Sequence, residues 1–172
     1  VTGTPDGGHA WLDSSALRLT LPHLYDAPLE LALTGPLHWW RDQSGTLQLD
    51  SGRLALANDD ARAQALFSLL LPPQGLPELR LRGEVFDGRA ARAAHYIPMV
   101  QTSTAARRWL QEAFVDGQVE RGRFLYEGPI RVDPARPQDR TFQMAFALAG
   151  LELQFLPDWP SARDINGSLV ID

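Results

Sequence analysis

Four histidines, His9, His23, His38 and His95, are the side chains in this 172-residue chain best suited to acid–base or metal chemistry. A metal centre would need them at short spacing on one helix or strand face, or joined there by Asp or Glu. None of the four has such a partner. His38 alternates with Trp40 along a strand-like run and His95 precedes Tyr96 at a helix end, so each reads as a surface or locally satisfied imidazole. A serine nucleophile would announce itself as Gly-x-Ser-x-Gly between a strand and a helix, and that motif is absent. Gly7-Gly8 alone is a turn, short of a phosphate-binding loop. The chain has no cysteine, which removes disulfides, thiolate ligands and thiol nucleophiles. This fits the cytosol, or a periplasm in which the fold needs no covalent staple.

Paired carboxylates could serve a glycosidase. Glu30, Glu84 and Glu152, however, each alternate with apolar neighbours and fall on the polar side of a strand. Asp59-Asp60 and Asp133 sit in turn-like segments, where Asp bonds the local backbone. Trp39-Trp40 cannot form one stacking platform, because adjacent strand residues face opposite ways. One is expected on the apolar side and the other outside. Trp159, in the Pro-framed turn Leu156-Pro157-Asp158-Trp159-Pro160, is expected to anchor that loop onto the sheet. No catalytic residue, metal or cofactor is assigned. The formal charge of −5 argues against a nucleic-acid partner, which calls for a clustered basic surface. All 16 basic residues are Arg, which reads as a GC-rich genome and not as a phosphate clamp.

The elements that must position these residues are strands. Period-two alternation dominates. Leu17 and Leu19 flank Arg18, Leu31 and Leu33 flank Ala32, and Leu47 and Leu49 flank Gln48. Leu54 and Leu56 follow an Asp50-Ser51-Gly52 turn signal. Phe67 and Leu69 run on to Leu71 and stop at Pro72-Pro73, and Leu79 and Leu81 alternate with Arg80 and Arg82. Phe142, Met144 and Phe146 share one face. Leu151, Leu153 and Phe155 follow past Gly150, and Leu169 and Ile171 close the chain. Further turn signals are Asp6-Gly7-Gly8, Gln43-Ser44-Gly45, Asn58-Asp59-Asp60, Asp87-Gly88 and Gly150. Leu is not a strong β former, so alternation carries the assignment and not propensity. The expected fold is mainly β: an antiparallel meander of about ten strands, with one apolar and one polar face. The apolar face must be covered by a sandwich or barrel, or be curled into a trough around a ligand.

Two short helices are expected, around 88–96 and 104–114. The first is Ala/Arg-rich and ends before Pro98. The second has Ser103 or Thr104 as a cap and Gly117 as the left-handed residue past its end. Its inner stripe is Ala106, Leu110, Ala113 and Phe114, with Trp109 beside it, and it is expected to plug one end of the sheet. Gly35, Gly83, Gly128 and Gly167 each interrupt a strand-like apolar frame. They mark either regular bends or ordinary turns. The longest dense apolar stretch, near 65–71, is strand-sized and far short of the roughly 20 residues that span a bilayer. A start at Val1 and a finish inside a strand suggest a piece of a longer chain, with any signal or anchor elsewhere.

Several runs resemble a known family. Tyr96-Ile97-Pro98, 106–114 around Trp109-Leu110, Gly117-Gln118-Val119 and 122–129 are similar to the large periplasmic YhdP proteins of Gram-negative bacteria, which belong with the AsmA-like and TamB-like bridge-like lipid transfer proteins. Phe142–Phe146, Leu151–Phe155, Trp159-Pro160 and Ile165–Leu169 match the same pattern, as does 54–63. After Gly128-Pro129 the family's aromatic segment is replaced by Ile130-Arg131-Val132-Asp133-Pro134, which puts strand pairing in question there. The resemblance implies a curled, taco-like β-groove in the periplasm, as part of an inner-membrane-anchored protein. Its implied work is non-enzymatic phospholipid transport between inner and outer membranes.

On that reading residues 1–172 are a single fragment of a longer repeating groove. Its partners are phospholipid acyl chains, the rest of the same chain on both sides, and inner- and outer-membrane proteins. The groove would be lined by the alternating residues named above, Leu17 through Ile171, with Trp109, Leu110 and Phe114 packing the helix as a plug. The chemistry agrees: a lipid tail costs about 0.8 kcal/mol per CH₂ in water, so crossing an aqueous gap calls for continuous apolar surface. An envelope scaffold acting by β-strand augmentation and a carbohydrate-binding β-sandwich stand as alternatives.

Overall fold

A computed structural model describes residues 1–20, 27–96, 104–130, 140–156 and 158–171. Ten strands form one antiparallel sheet: β1 (Thr2–Thr4), β2 (Gly7–Leu19), β3 (Leu29–Arg41), β4 (Leu47–Ser51), β5 (Leu54–Ala57), β6 (Arg62–Leu71), β7 (Glu78–Arg89), β8 (Phe114–Pro129), β9 (Thr141–Leu153) and β10 (Ala162–Ile171). They follow one another in space as in sequence, with β4 and β5 sharing one place between β3 and β6. The result is a mainly β, curled meander sheet.

Three turn signals proved to be irregularities within strands. Asp50-Ser51-Gly52 does not reverse the chain. Ser51 opposes Leu37 and Ala55 opposes Thr34, so β4 and β5 run on in one direction as two halves of a single ribbon. Asp87 adopts a positive φ of 51° inside β7. Gly150, at φ 56°, lies inside β9, with its N–H donated to Asn166 Oδ1 at 2.9 Å. Asp and Gly mark left-handed backbone equally well in a reversal and in a bulge. Bulges bend a strand and raise its twist, which is how a sheet of long strands acquires curvature.

The helical segments also differ from expectation. Gly88 and Arg89 remain in β7, and the helix that follows is a 3₁₀ helix, Ala90–Tyr96. The α-helix α1 covers Thr104–Ala113, so Phe114 opens β8. Gly117 is not a cap. It lies in β8 at φ 119°, where an added Cβ would come within 2.6 Å of Leu151 Cα. Ser103 and the Arg131–Pro134 segment lie outside the described residues.

No second sheet covers the first among the described residues; each strand packs chiefly on its sheet neighbours. Among the described residues the buried apolar side chains are Ala10, Leu54, Ala65, Ala90, Ala113, Val119, Met144 and Leu151. One compact cluster, Ala90, Val119 and Leu151, forms where the 3₁₀ helix packs on β8 and β9 at one end of the sheet. That end is also tied by polar bonds. Asn58 Nδ2 donates to Tyr96 Oη (2.7 Å), Tyr96 Oη donates to Asp60 Oδ2 (2.9 Å) and Arg92 Nε reaches the same oxygen (3.3 Å). Burial would raise the Asp60 pKa, but the Tyr96 hydroxyl and the Arg92 charge outweigh it and hold the carboxyl below its ordinary value.

Candidate functional site

Residues directly opposite one another in antiparallel strands point to the same face, so the register assembles the sheet's two surfaces. One row runs Ser14, Leu33, Leu56, Ala63, Val85, Gly122, Phe146, Leu169 across eight strands. At about 4.8 Å per strand this row covers roughly 35 Å. A parallel row links Leu54, Ala65, Gly83, Phe124, Met144 and Ile171. Phe67, Leu81, Tyr126 and Phe142 form a third, and Trp39, Leu49, Leu69 and Leu79 a fourth. Leu17 opposes Leu31, Leu19 opposes Leu29, and Leu47 opposes Leu71. Leu151 opposes Ile165, while Leu153 stands between Phe114 and Ala162. All the strand residues singled out by alternation therefore share one face. For Ile171 this rests on backbone register alone; its side chain and that of Leu110 lie outside the described residues.

Most of this face is only partly covered. Leu17, Leu31, Leu33, Leu49, Phe67, Leu81, Phe142 and Phe146 are half-buried, and no large side chain is fully buried among the described residues. Burying a Leu or Phe completely is worth about 1.5–3 kcal/mol. A face left half-open forgoes part of that at each position, which an apolar ligand could recover. Aromatic rings make the surface continuous where side chains are missing. The Phe146 ring lies over Gly122, 2.6 Å from where a Cβ would stand, and the Phe124 ring lies over Gly83.

The opposite face is polar. Arg18 faces Glu30 (3.6 Å), Arg80 faces Glu127 (3.0 Å), and Glu84 holds both Arg121 (2.8 Å) and Arg123 (3.4 Å). The Arg121 bond holds the Glu84 carboxyl below its ordinary value. Arg121 also lies 5.8 Å from the Phe86 ring. Exposed pairs of this kind contribute about 0–1 kcal/mol each; their consequence is to define the wet side. Glu30 and Glu84 are thus spent on neighbouring arginines. Glu152 is bonded by Ser161 (2.6 Å) and Arg163 (3.0 Å), which lower its pKa. His9 and His38 oppose each other here with ring centroids 6.2 Å apart. No group of three or more His, Asp or Glu able to hold a metal occurs among the described residues.

Trp39 lies on the apolar face and donates its indole N–H to Thr4 O at 2.9 Å, whereas Trp40 is on the outer face. Trp159 does not anchor its loop on the sheet: it is 64% exposed. Gln154 does that work, donating to Leu156 O (2.7 Å) and Trp159 O (2.6 Å). At the helix-bearing end the Trp109 ring meets Phe114 edge-on (6.3 Å) and Phe155 at a tilt (6.1 Å), and its N–H donates to Phe155 O at 3.2 Å. Val85, Phe124, Tyr126 and Leu37 belong to the apolar face but were missed in the sequence. Phe124 and Tyr126 do alternate around Leu125, a signal masked by the flanking glycines. No helix among the described residues is long and apolar enough to cross a membrane.

The family whose model matches residues 1–172 is described as YhdP protein. A curated relative, the intermembrane phospholipid transporter YhdP of Escherichia coli (strain K12), is 20% identical over 166 residues. The match covers 96% of this chain and 13% of that relative's length. No solved structure matches the chain.

Proposed function

The chain belongs to the YhdP protein family, and on that premise we propose that residues 1–172 form one stretch of a longer, non-enzymatic phospholipid conduit. It would lie in the periplasm of a Gram-negative envelope, as part of an inner-membrane-anchored protein, and carry lipid between the inner and outer membranes. The observation that carries this reading is the set of apolar rows, the longest running from Leu33 to Leu169 across seven strands, on a face that no second layer covers among the described residues. Acyl chains would lie along these rows, perpendicular to the strands, with headgroups toward solvent. Contacts to Leu, Phe and Met are non-directional, so no position traps the lipid and it can slide. The proposed lining comprises the alternating residues from Leu17 to Ile171. Phospholipid tails are the ligand, and neighbouring stretches of the same chain and membrane proteins at either end are the partners.

The test is lipid content and transfer by the full-length protein. Mass spectrometry of the detergent-free purified protein should find phospholipid. Leu31→Arg should stop transfer between donor and acceptor vesicles while the far-UV circular dichroism stays unchanged. A folded protein that carries no lipid, or transfer unaffected by Leu31→Arg, would overturn the reading.

A further inference from the structure

The apolar face does not end at the helices. β9 finishes at Leu153, opposite Ala162 of β10 and Phe114 of β8, and beyond it the chain turns back through Phe155, Leu156 and Trp159. These residues, with Trp109, Pro160 and Ala162, line an open cleft of about 650 Å³, within the range of roughly 300–1,000 Å³ of small-ligand sites. All six lining side chains are apolar or aromatic. Trp109, Phe155, Leu156 and Trp159 are 39%, 57%, 51% and 64% exposed. Single exposed apolar residues are ordinary, but a contiguous group marks a binding surface.

The cleft is also built. Gln154 N donates to Ala113 O (2.9 Å), its side-chain amide clamps the carbonyls of Leu156 and Trp159, and Trp159 N donates to Leu156 O (3.1 Å). Trp109 and Phe155 meet at a tilt, with ring centroids 6.1 Å apart, and still leave their outer surfaces open. The Trp109 indole N–H is already donated to Phe155 O. A sugar or headgroup entering here would lose water and find few hydrogen bonds in return, whereas hydrocarbon would lose nothing.

We propose that this cleft is a lateral docking site for one phospholipid acyl chain, where a tail joins or leaves the apolar face beside α1. The inference rests on the conduit reading, because the cleft continues that face through Leu153 and Ala162. An aromatic mouth gives the tail a weak, non-directional binding step outside the sheet and shortens the distance over which it crosses water.

The test places a photoreactive p-benzoyl-phenylalanine in the full-length protein at Phe155 or, separately, at Phe146, with irradiation in cells. Lipid adducts at both positions are expected. Adducts at 146 with none at 155 would overturn the cleft proposal while leaving the conduit standing, and so would protein-only adducts at 155. Adducts at neither position would remove both. In a variant whose lipid adduct at 146 shows an intact groove, Trp159→Asp should lower the adduct yield at 155 severalfold. An unchanged yield at 155 would count against the cleft.

Discussion

Phe146 and Gly122 show how closely single residues set the apolar face. They oppose one another on β9 and β8, and the ring occupies the space above the glycine. Gly122→Ala puts a methyl 2.6 Å from Phe146 Cδ1, with Val85 Cβ at 3.5 Å behind it. Overpacking of this sort costs about 1–3 kcal/mol, and the ring should swing out of its row. Gly167 provides the contrast, since a Cβ there meets nothing within 4 Å. Urea denaturation should therefore find Gly122→Ala clearly destabilised and Gly167→Ala close to the parent. Equal effects would mean that ring-over-glycine packing does not hold these strands. The glycines were visible in the sequence, but their partners were not, because which ring covers which glycine depends on register.

Among the elements, the 3₁₀ helix Ala90–Tyr96 is tied to the sheet by a titratable contact. Ala90 is buried against Val119 and Leu151, and Tyr96 and Arg92 both bond Asp60 in the β5–β6 turn. Asp60 is held below its ordinary pKa in the folded protein. Its contribution is therefore complete above the unfolded value and is lost as pH falls through the lower, folded one. Amide hydrogen exchange across Ala90–Tyr96 should keep its protection from neutral pH through the mildly acidic range. It should lose protection below the ordinary carboxylate range, before the central strands do. Asp60→Asn should weaken protection at neutral pH and flatten the acid response. A pH profile identical in both proteins would show that Asp60 is not the trigger. The turn at Asn58-Asp59-Asp60 was legible from composition. Asp60's real partners were not, because they are more than 30 residues away in sequence.

The whole sheet presents two faces of opposite character, and the proposed function depends on only one of them. Phe146 stands in the long apolar row, whereas Gln143, three residues earlier on the same strand, is exposed on the polar face. An arginine in the apolar path would carry a desolvation cost of several kcal/mol for each passing tail, enough to slow lipid transfer by at least about tenfold. Phe146→Arg should thus abolish transfer between vesicles, and Gln143→Arg should leave it near the parent rate. If both or neither had an effect, the apolar face would not be the route.

Alternation, by itself, determined the secondary structure class and the antiparallel order, and outside 61–71 it marked which leucines share a strand face, because a period of two leaves each strand only one way to segregate them. The Thr104 cap and the helical stripe placed α1 to within a residue at its end. Tertiary structure alone decided whether a Gly or Asp signal was a reversal or a bulge, as at Gly52, Asp87 and Gly150. Local backbone preference is the same in both cases, and only the pairing of the flanking strands separates them. It also settled the facing of 61–71, where apolar residues fill both parities and only the pairing of β6 with β5 and β7 selects Ala65, Phe67 and Leu69 for the apolar side. The aromatic cleft at Trp109, Phe155 and Trp159 was equally out of reach. It joins segments about 50 residues apart, and whether a ring is buried or held open is set by what packs against it.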